Sequence, residues 1–182
     1  IAGSAQQSII RSNFGKSLIF SNFSILKLKF FILWILSLSL FNIEPFLVRL
    51  SKLDILAFGA HPDDIELGCG GTILKHINAG YSVGIVDLTK GELGTRGDKN
   101  IRAEETKKSN EVLKISVREN MNLKDGFFEN NEQNKIKAVK LIRKYKPSIV
   151  LTNAPSDRHP DHGRASSLTT DACFLSGLEK ID

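Results

Sequence analysis

From Leu53 to Leu175 short apolar runs alternate with amphipathic, helix-like segments, and this alternation constrains the fold more than any other feature. Leu53–Gly59 (LDILAFG), Ser82–Leu88 (SVGIVDL) and Ser148–Asn153 (SIVLTN) are short and largely apolar, as strands buried on both faces are. Val117–Leu123 reads as a further strand. Between them, Thr72–Ala79 reads as a helix stopped by Gly80, with Thr72 a candidate cap. Ile101–Leu113, Glu132–Tyr145 and Arg164–Leu175 read as further helices, and Gly91–Asn100 as a polar loop. Strands and helices at this spacing predict an α/β fold, a Rossmann-like, mainly parallel sheet flanked by helices.

The first fifty residues differ in composition. They hold seven of the eleven phenylalanines. They carry five basic residues against one acid, Glu44, a net of +4, which leaves +1 for the rest of a chain whose formal charge is +5. The basic balance is therefore poor evidence for nucleic-acid binding. Phe30–Phe41 (FFILWILSLSLF) is a run of twelve uncharged residues flanked by Lys27 and Lys29. A membrane-spanning helix needs about 20. Residues 1–51 are expected to lie outside the fold, as an extraneous or signal/anchor-like segment, and residues 52–182 to form the working domain. Cys69 and Cys173 form no CxxC pair and no disulfide framework, which fits a reducing, cytoplasmic compartment. The alternative is membrane association through residues 30–41.

Ligands of open α/β sheets bind beyond the carboxyl ends of the strands. Two clusters fall there: His61-Pro62-Asp63-Asp64 after the first strand, and Asp157-Arg158-His159-Pro160-Asp161-His162 after SIVLTN. They contain three of the four histidines. Either cluster alone is a modest signal, because Pro-Asp is common in turns and a lone histidine after a strand is more often a cap or packing residue. Two such clusters, each after an apolar strand, point to a divalent metal such as zinc. His61, Asp64 and His162 would be the ligands, leaving a position for water. Asp63 would be left as general base, and His159 to stabilise negative charge or donate a proton. A bound metal would bring the pKa of its water towards about 7.

Other features are weaker. Gly68, Gly70 and Gly71 do not form GxGxxG after the strand, so a dinucleotide site is not expected; their ordinary role would be close packing at a helix start. His76 reads as a surface or packing residue. The charges of Arg102–Lys114 read mostly as a solvated helix face, although Arg102, following a glycine-rich loop, is placed to reach a polar substrate.

DILAFGAHPDDIELGCGGTI, VGIVDLTKGELGTRG and DRHPDHG, in this order, resemble the LmbE-like or PIG-L family of N-acetylglucosaminyl deacetylases, most closely the bacillithiol-biosynthesis branch. The resemblance runs from about Lys52 to the end of the chain. It implies a metal-dependent N-deacetylase with His61, Asp64 and His162 as zinc ligands, Asp63 as general base activating a zinc-bound water, His159 assisting at the oxyanion and Arg102 in the substrate pocket. It implies an amino-sugar conjugate as substrate, N-acetylglucosaminyl malate in this branch. Zn2+, or another divalent ion, is the implied cofactor, with no nucleic acid or membrane as partner and a homo-oligomer left open. Alternatives are a membrane-anchored glycolipid de-N-acetylase of the same family and a metal hydrolase acting on another amide or ester. Family domains begin just before LDILAFG and continue past the position of Asp182, so the domain reads as C-terminally truncated.

Overall fold

Four strands form one parallel sheet: β1 (Ile55–Gly59), β2 (Val83–Thr89), β3 (Val117–Leu123) and β4 (Ile149–Thr152), in the order β3-β2-β1-β4. The computed structural model describes residues 52–95 and 98–181, so the anchor-like segment and the twelve-residue apolar run lie outside the described residues. Four helices alternate with the strands: α1 (Asp64–Asn78), α2 (Lys99–Leu113), α3 (Glu132–Tyr145) and α4 (Pro160–Ser176). The α/β, Rossmann-like parallel sheet expected from the alternation is the one observed. Among the described residues no helix is long and apolar enough to cross a membrane.

Every residue of β1 and β2 is buried, because both faces of these strands are covered. Leu56, Phe58, Val86 and Leu88 pack against Ala138, Val139, Ile142 and Tyr145 of α3 and Ala165, Leu168 and Ala172 of α4. The intervening Ile55, Ala57, Val83 and Ile85 pack against Ile65 and Ile73 of α1. Period-2 alternation thus sends apolar residues to two different cores, and the sequence shows a continuous run. Gly84, inside β2, makes room for this packing: a Cβ there would come within 2.5 Å of Leu53 Cδ1, which would have to shift.

Two boundaries depart from the sequence reading. The helix expected from Thr72 begins eight residues earlier, at Asp64, and passes through the glycines with non-helical angles at Cys69. Thr72 therefore lies inside it and caps nothing. A Cβ at Gly68, Gly70 or Gly71 would meet nothing within 4 Å, so close packing is not why these residues are glycine, and nothing in the structure explains them. The helix expected from Arg164 begins at Pro160, because proline suits a first helical position and His159 caps it.

The chain builds outward from β1 to β2 and β3, then returns to place β4 on β1's other side. The strand order reverses between β1 and β4, so the loops leaving their carboxyl ends part and open a crevice. The two histidine clusters leave those two strands.

Candidate active site

His61 follows β1, Asp63 is the N-cap of α1 and Asp64 its first residue. His159 is the N-cap of α4, and Asp161 and His162 lie in its first turn. Both clusters are therefore helix starts rather than free loops, and the positive ends of two helices favour carboxylates there. Asp63 holds φ at 134°, outside the range ordinarily open to a residue with a Cβ. Such strain concentrates at functional sites.

The structure brings His61, Asp64 and His162 together. Asp64 Oδ2 lies 3.5 Å from His61 Nδ1, and Asp64 Oδ1 lies 3.2 Å from His162 Nε2. Asp64 thus bridges the two imidazoles through different oxygens, whereas the ligand atoms that all lie within 4.8 Å of one another belong to His61, His159 and His162 in one group and to His61, Asp125 and Asp161 in another. His159 stacks on His162 at 5.0 Å between ring centroids, and its ligand atoms fall within 4.8 Å of those of His61 and His162.

A second group of metal-ligand type shares His61. Its Nε2 lies 3.1 Å from Asp125 Oδ1 and 3.2 Å from Asp161 Oδ2. Both carboxylates already serve other donors. Asp161 accepts from Gly126 N–H at 2.8 Å and from Arg164 Nη1 at 2.5 Å, and Asp125 accepts from Leu93 N–H at 2.8 Å. Asp161 has no solvent exposure. With Nε2–H shared between these carboxylates, it is Nδ1 of His61 that would lose its proton and offer a lone pair to an ion. That is the usual arrangement of a histidine oriented from behind for a metal. Burial disfavours the His61 imidazolium, but Asp64, Asp125 and Asp161 outweigh it and push the group up to about 9. Burial likewise opposes ionisation of Asp64, yet bonds from His61 and Asn153 hold its carboxyl down to about 2.

A cavity of about 410 Å³ opens over these groups, lined by His61, Asp63, Asp64, Asp125, His159, His162 and Arg102 among others. The Asp63 side chain, on the lining of this cavity, is 51% exposed. Desolvation raises its carboxyl above the ordinary value, opposed by Arg102, whose Nη1 lies 3.9 Å away. His159 Nδ1 accepts the N–H of Asp161 at 3.3 Å, which leaves Nε2 as the protonated, donating nitrogen of the neutral ring. Arg102 lies across Gly91 and Gly94 and also lines a second cavity of about 350 Å³ with Lys90, Lys107, Asn110 and Asn120. His76 bonds Thr72 O within α1 and pairs with Tyr81, away from the cluster.

Two residues at the site carry no motif in the sequence. Asp125 stands in a Lys-Asp-Gly turn, and Asn153 ends an apolar run. The available signal was position, since both follow strands at the sheet's carboxyl edge.

The sequence profile of the GlcNAc-PI de-N-acetylase family, PIG-L, matches residues 56–173. The chain belongs to the PIG-L family. The diacetylchitobiose deacetylase of Thermococcus kodakarensis is 32% identical over 161 residues, which cover 76% of this chain and 60% of that protein. The crystal structure of the conserved protein TT1542 from Thermus thermophilus superposes with a TM-score of 0.69 at 38% identity, over 71% of this chain and 59% of that one. GalB, a 4-carboxy-2-hydroxymuconate hydratase from Pseudomonas putida, superposes with a TM-score of 0.64 at 26% identity, over 70% and 58%. The chain thus spans about three-fifths of the length of these relatives.

Proposed function

We propose that this PIG-L chain carries the catalytic centre of a metal-dependent N-deacetylase, which hydrolyses the N-acetyl group of an N-acetylglucosamine conjugate to a free amine and acetate. The observation that carries the reading is the convergence of His61, Asp64 and His162 in one cavity with Asp63 and His159. The ion assigned to them is Zn2+, because two imidazoles and one carboxylate are a common catalytic zinc set.

A bound ion would polarise the acetyl carbonyl and acidify the attacking water. The chain's own groups do the rest. Asp63 accepts the proton of the water as its oxygen attacks the carbonyl carbon. His159 donates from Nε2 to the oxygen that gains negative charge. As the C–N bond breaks, the proton held by Asp63 passes to nitrogen, which leaves as the amine. Arg102 holds polar groups of the substrate beside the reacting amide. Lys90 and Lys107, with Arg102, give the adjoining cavity a positive lining, which supports an anionic aglycone such as the malate of N-acetylglucosaminyl malate in bacillithiol biosynthesis. The two cysteines, neither in a disulfide, support a cytoplasmic location, with residues 1–51 outside the catalytic fold.

The test is acetate release from N-acetylglucosaminyl malate and from diacetylchitobiose, before and after chelation and Zn2+ restoration. Metal-dependent release from the malate glycoside supports the reading. Failure on every N-acetylated sugar, with metal bound, removes it. A second reading has one observation behind it: the likeness to a hydratase leaves room for the same base to add water across a carbon–carbon double bond. Turnover of an unsaturated carboxylate in place of the sugars would favour that.

A further inference from the structure

Asn153 follows β4, and its side chain reaches across the crevice to the loop that leaves β1. Its Oδ1 accepts the N–H of Ala60 at 2.9 Å, and its Nδ2 donates to Asp64 Oδ2 at 3.1 Å. The orientation of the amide is forced. Ala60 N–H can only donate, so it must face the oxygen, and the amino group is then left for the carboxylate. Asp64 Oδ2 also accepts the N–H of His61 at 3.0 Å. Two donors therefore hold Oδ2, and Oδ1 is the oxygen turned to His162 Nε2 at 3.2 Å.

We infer that Asn153 is a positioning residue of the metal centre: by fixing Asp64 Oδ2 and the backbone at Ala60 together, it presents Asp64 Oδ1 as the ligand oxygen. This rests on the proposed ligand set of His61, Asp64 and His162. The physical reason is that an unheld carboxylate at a helix start rotates and exchanges its two oxygens. A bound ion must then pay the entropy of ordering it. Partners that orient metal ligands commonly change metal affinity by about 10–100-fold. Asn153 also spans the two strands whose loops carry the two ligand clusters. It therefore sets the separation of the Asp64 and His162 sides as well as the rotation of one carboxylate.

The test is a double-mutant cycle read in metal affinity rather than in turnover. Zn2+ dissociation constants are measured by competition with a chromophoric chelator for the unsubstituted chain, Asn153→Ala, Asp64→Ala and the double variant. Asn153→Ala should weaken Zn2+ about 10–100-fold. In the Asp64→Ala background the same change should alter the constant by no more than about twofold, because the group it acts through is gone. The visible absorption of the Co2+ form should shift in Asn153→Ala, since a carboxylate free to rotate changes the ligand field. Asn153→Ser, which keeps a small polar side chain, takes the place of Asn153→Ala if the alanine variant fails to fold. Tight Zn2+ binding unchanged by Asn153→Ala, or an equal loss with and without Asp64, overturns this role and leaves the ligand set standing. An unsubstituted chain that binds no Zn2+ overturns both.

Discussion

The guanidinium of Arg102 occupies the space that a side chain on Gly94 would fill: a Cβ at Gly94 would lie 2.8 Å from Nη2 and 3.1 Å from Cζ. The bare loop is what lets Arg102 lie flat between the glycines and Asp63. A flexible side chain gives way before backbone, so Gly94→Ala should displace the arginine and leave the fold intact. A misplacement near 1 Å costs up to about 100-fold in rate. The expected result is a loss of roughly 10–100-fold in kcat/KM with an unchanged thermal midpoint. Full activity would show that Arg102 need not lie where it does.

The two donor groups around His61 make opposite predictions. If the ion sits among His61, Asp64 and His162, His162→Ala should strip most of the metal and Asp125→Asn should leave the site occupied, with affinity lowered by about 10–100-fold at most. If it sits among His61, Asp125 and Asp161, the order reverses. Metal content by elemental analysis after gel filtration decides between them.

Asp63 combines a strained backbone with the role of base, and the two can be separated. Asp63→Asn keeps the shape but cannot take up a proton, so turnover should fall by about 10²–10⁴-fold with metal retained. Asp63→Gly should do the same while raising stability by about 1 kcal/mol, because φ of 134° suits glycine. Loss of metal in the Asn variant would make Asp63 a ligand instead.

β1 and β2 were legible in the sequence because burial on both faces leaves a continuous apolar run, as in LDILAFG; SIVLTN reads the same way, yet β4 is an edge strand with no buried residue and Ile149 half exposed. The start of α1 was not legible. Gly68, Gly70 and Gly71 look like helix breakers, yet the helix runs through them with one kink at Cys69. The residues of the two histidine clusters announced themselves by spacing. Asp125 did not, because an aspartate before glycine reads as a turn, and only the fold brings it 3.1 Å from His61 across 64 positions of sequence. Asn153 was silent for the same reason.

Arg118 of β3, its side chain 6% exposed, ties the first turn of α1 to the sheet. It donates from Nε and Nη2 to the two oxygens of Asp87 at 2.8 Å each, and from Nη1 to Glu66 Oε1 at 2.5 Å. Arg118→Ala leaves a buried carboxylate without its counter-charge, a loss of about 3–5 kcal/mol. Urea unfolding should show it. Removing Asp87 together with Arg118 should cost less than the two single changes combined. Strict additivity would mean that the pair is not coupled.

Asp54 and Ser82 join the starts of β1 and β2, and their bond should be visible as a pH dependence of stability. Asp54 Oδ2 accepts both the N–H and the hydroxyl of Ser82, each at 2.8 Å, and Ser82 Oγ accepts the N–H of Asp54 at 3.0 Å. The backbone N–H first, then the hydroxyl, holds the Asp54 carboxyl below its ordinary value. An unfolded aspartate titrates near 3.9. Because the folded value is lower, the unfolded chain binds the proton first on acidification. The stabilisation is therefore complete above the unfolded value and is lost as pH falls through the folded one. Ser82→Ala removes the hydroxyl donor and keeps the N–H, so it should cost about 1 kcal/mol at pH 7. The gap between the two proteins should narrow below about pH 4. It should not vanish, because the hydroxyl's bond to the Asp54 N–H carries no charge. Chemical denaturation of both proteins between pH 7 and pH 3 measures the gap. A gap that stays flat, or widens on acidification, would show that the hydroxyl does not favour the ionised carboxylate.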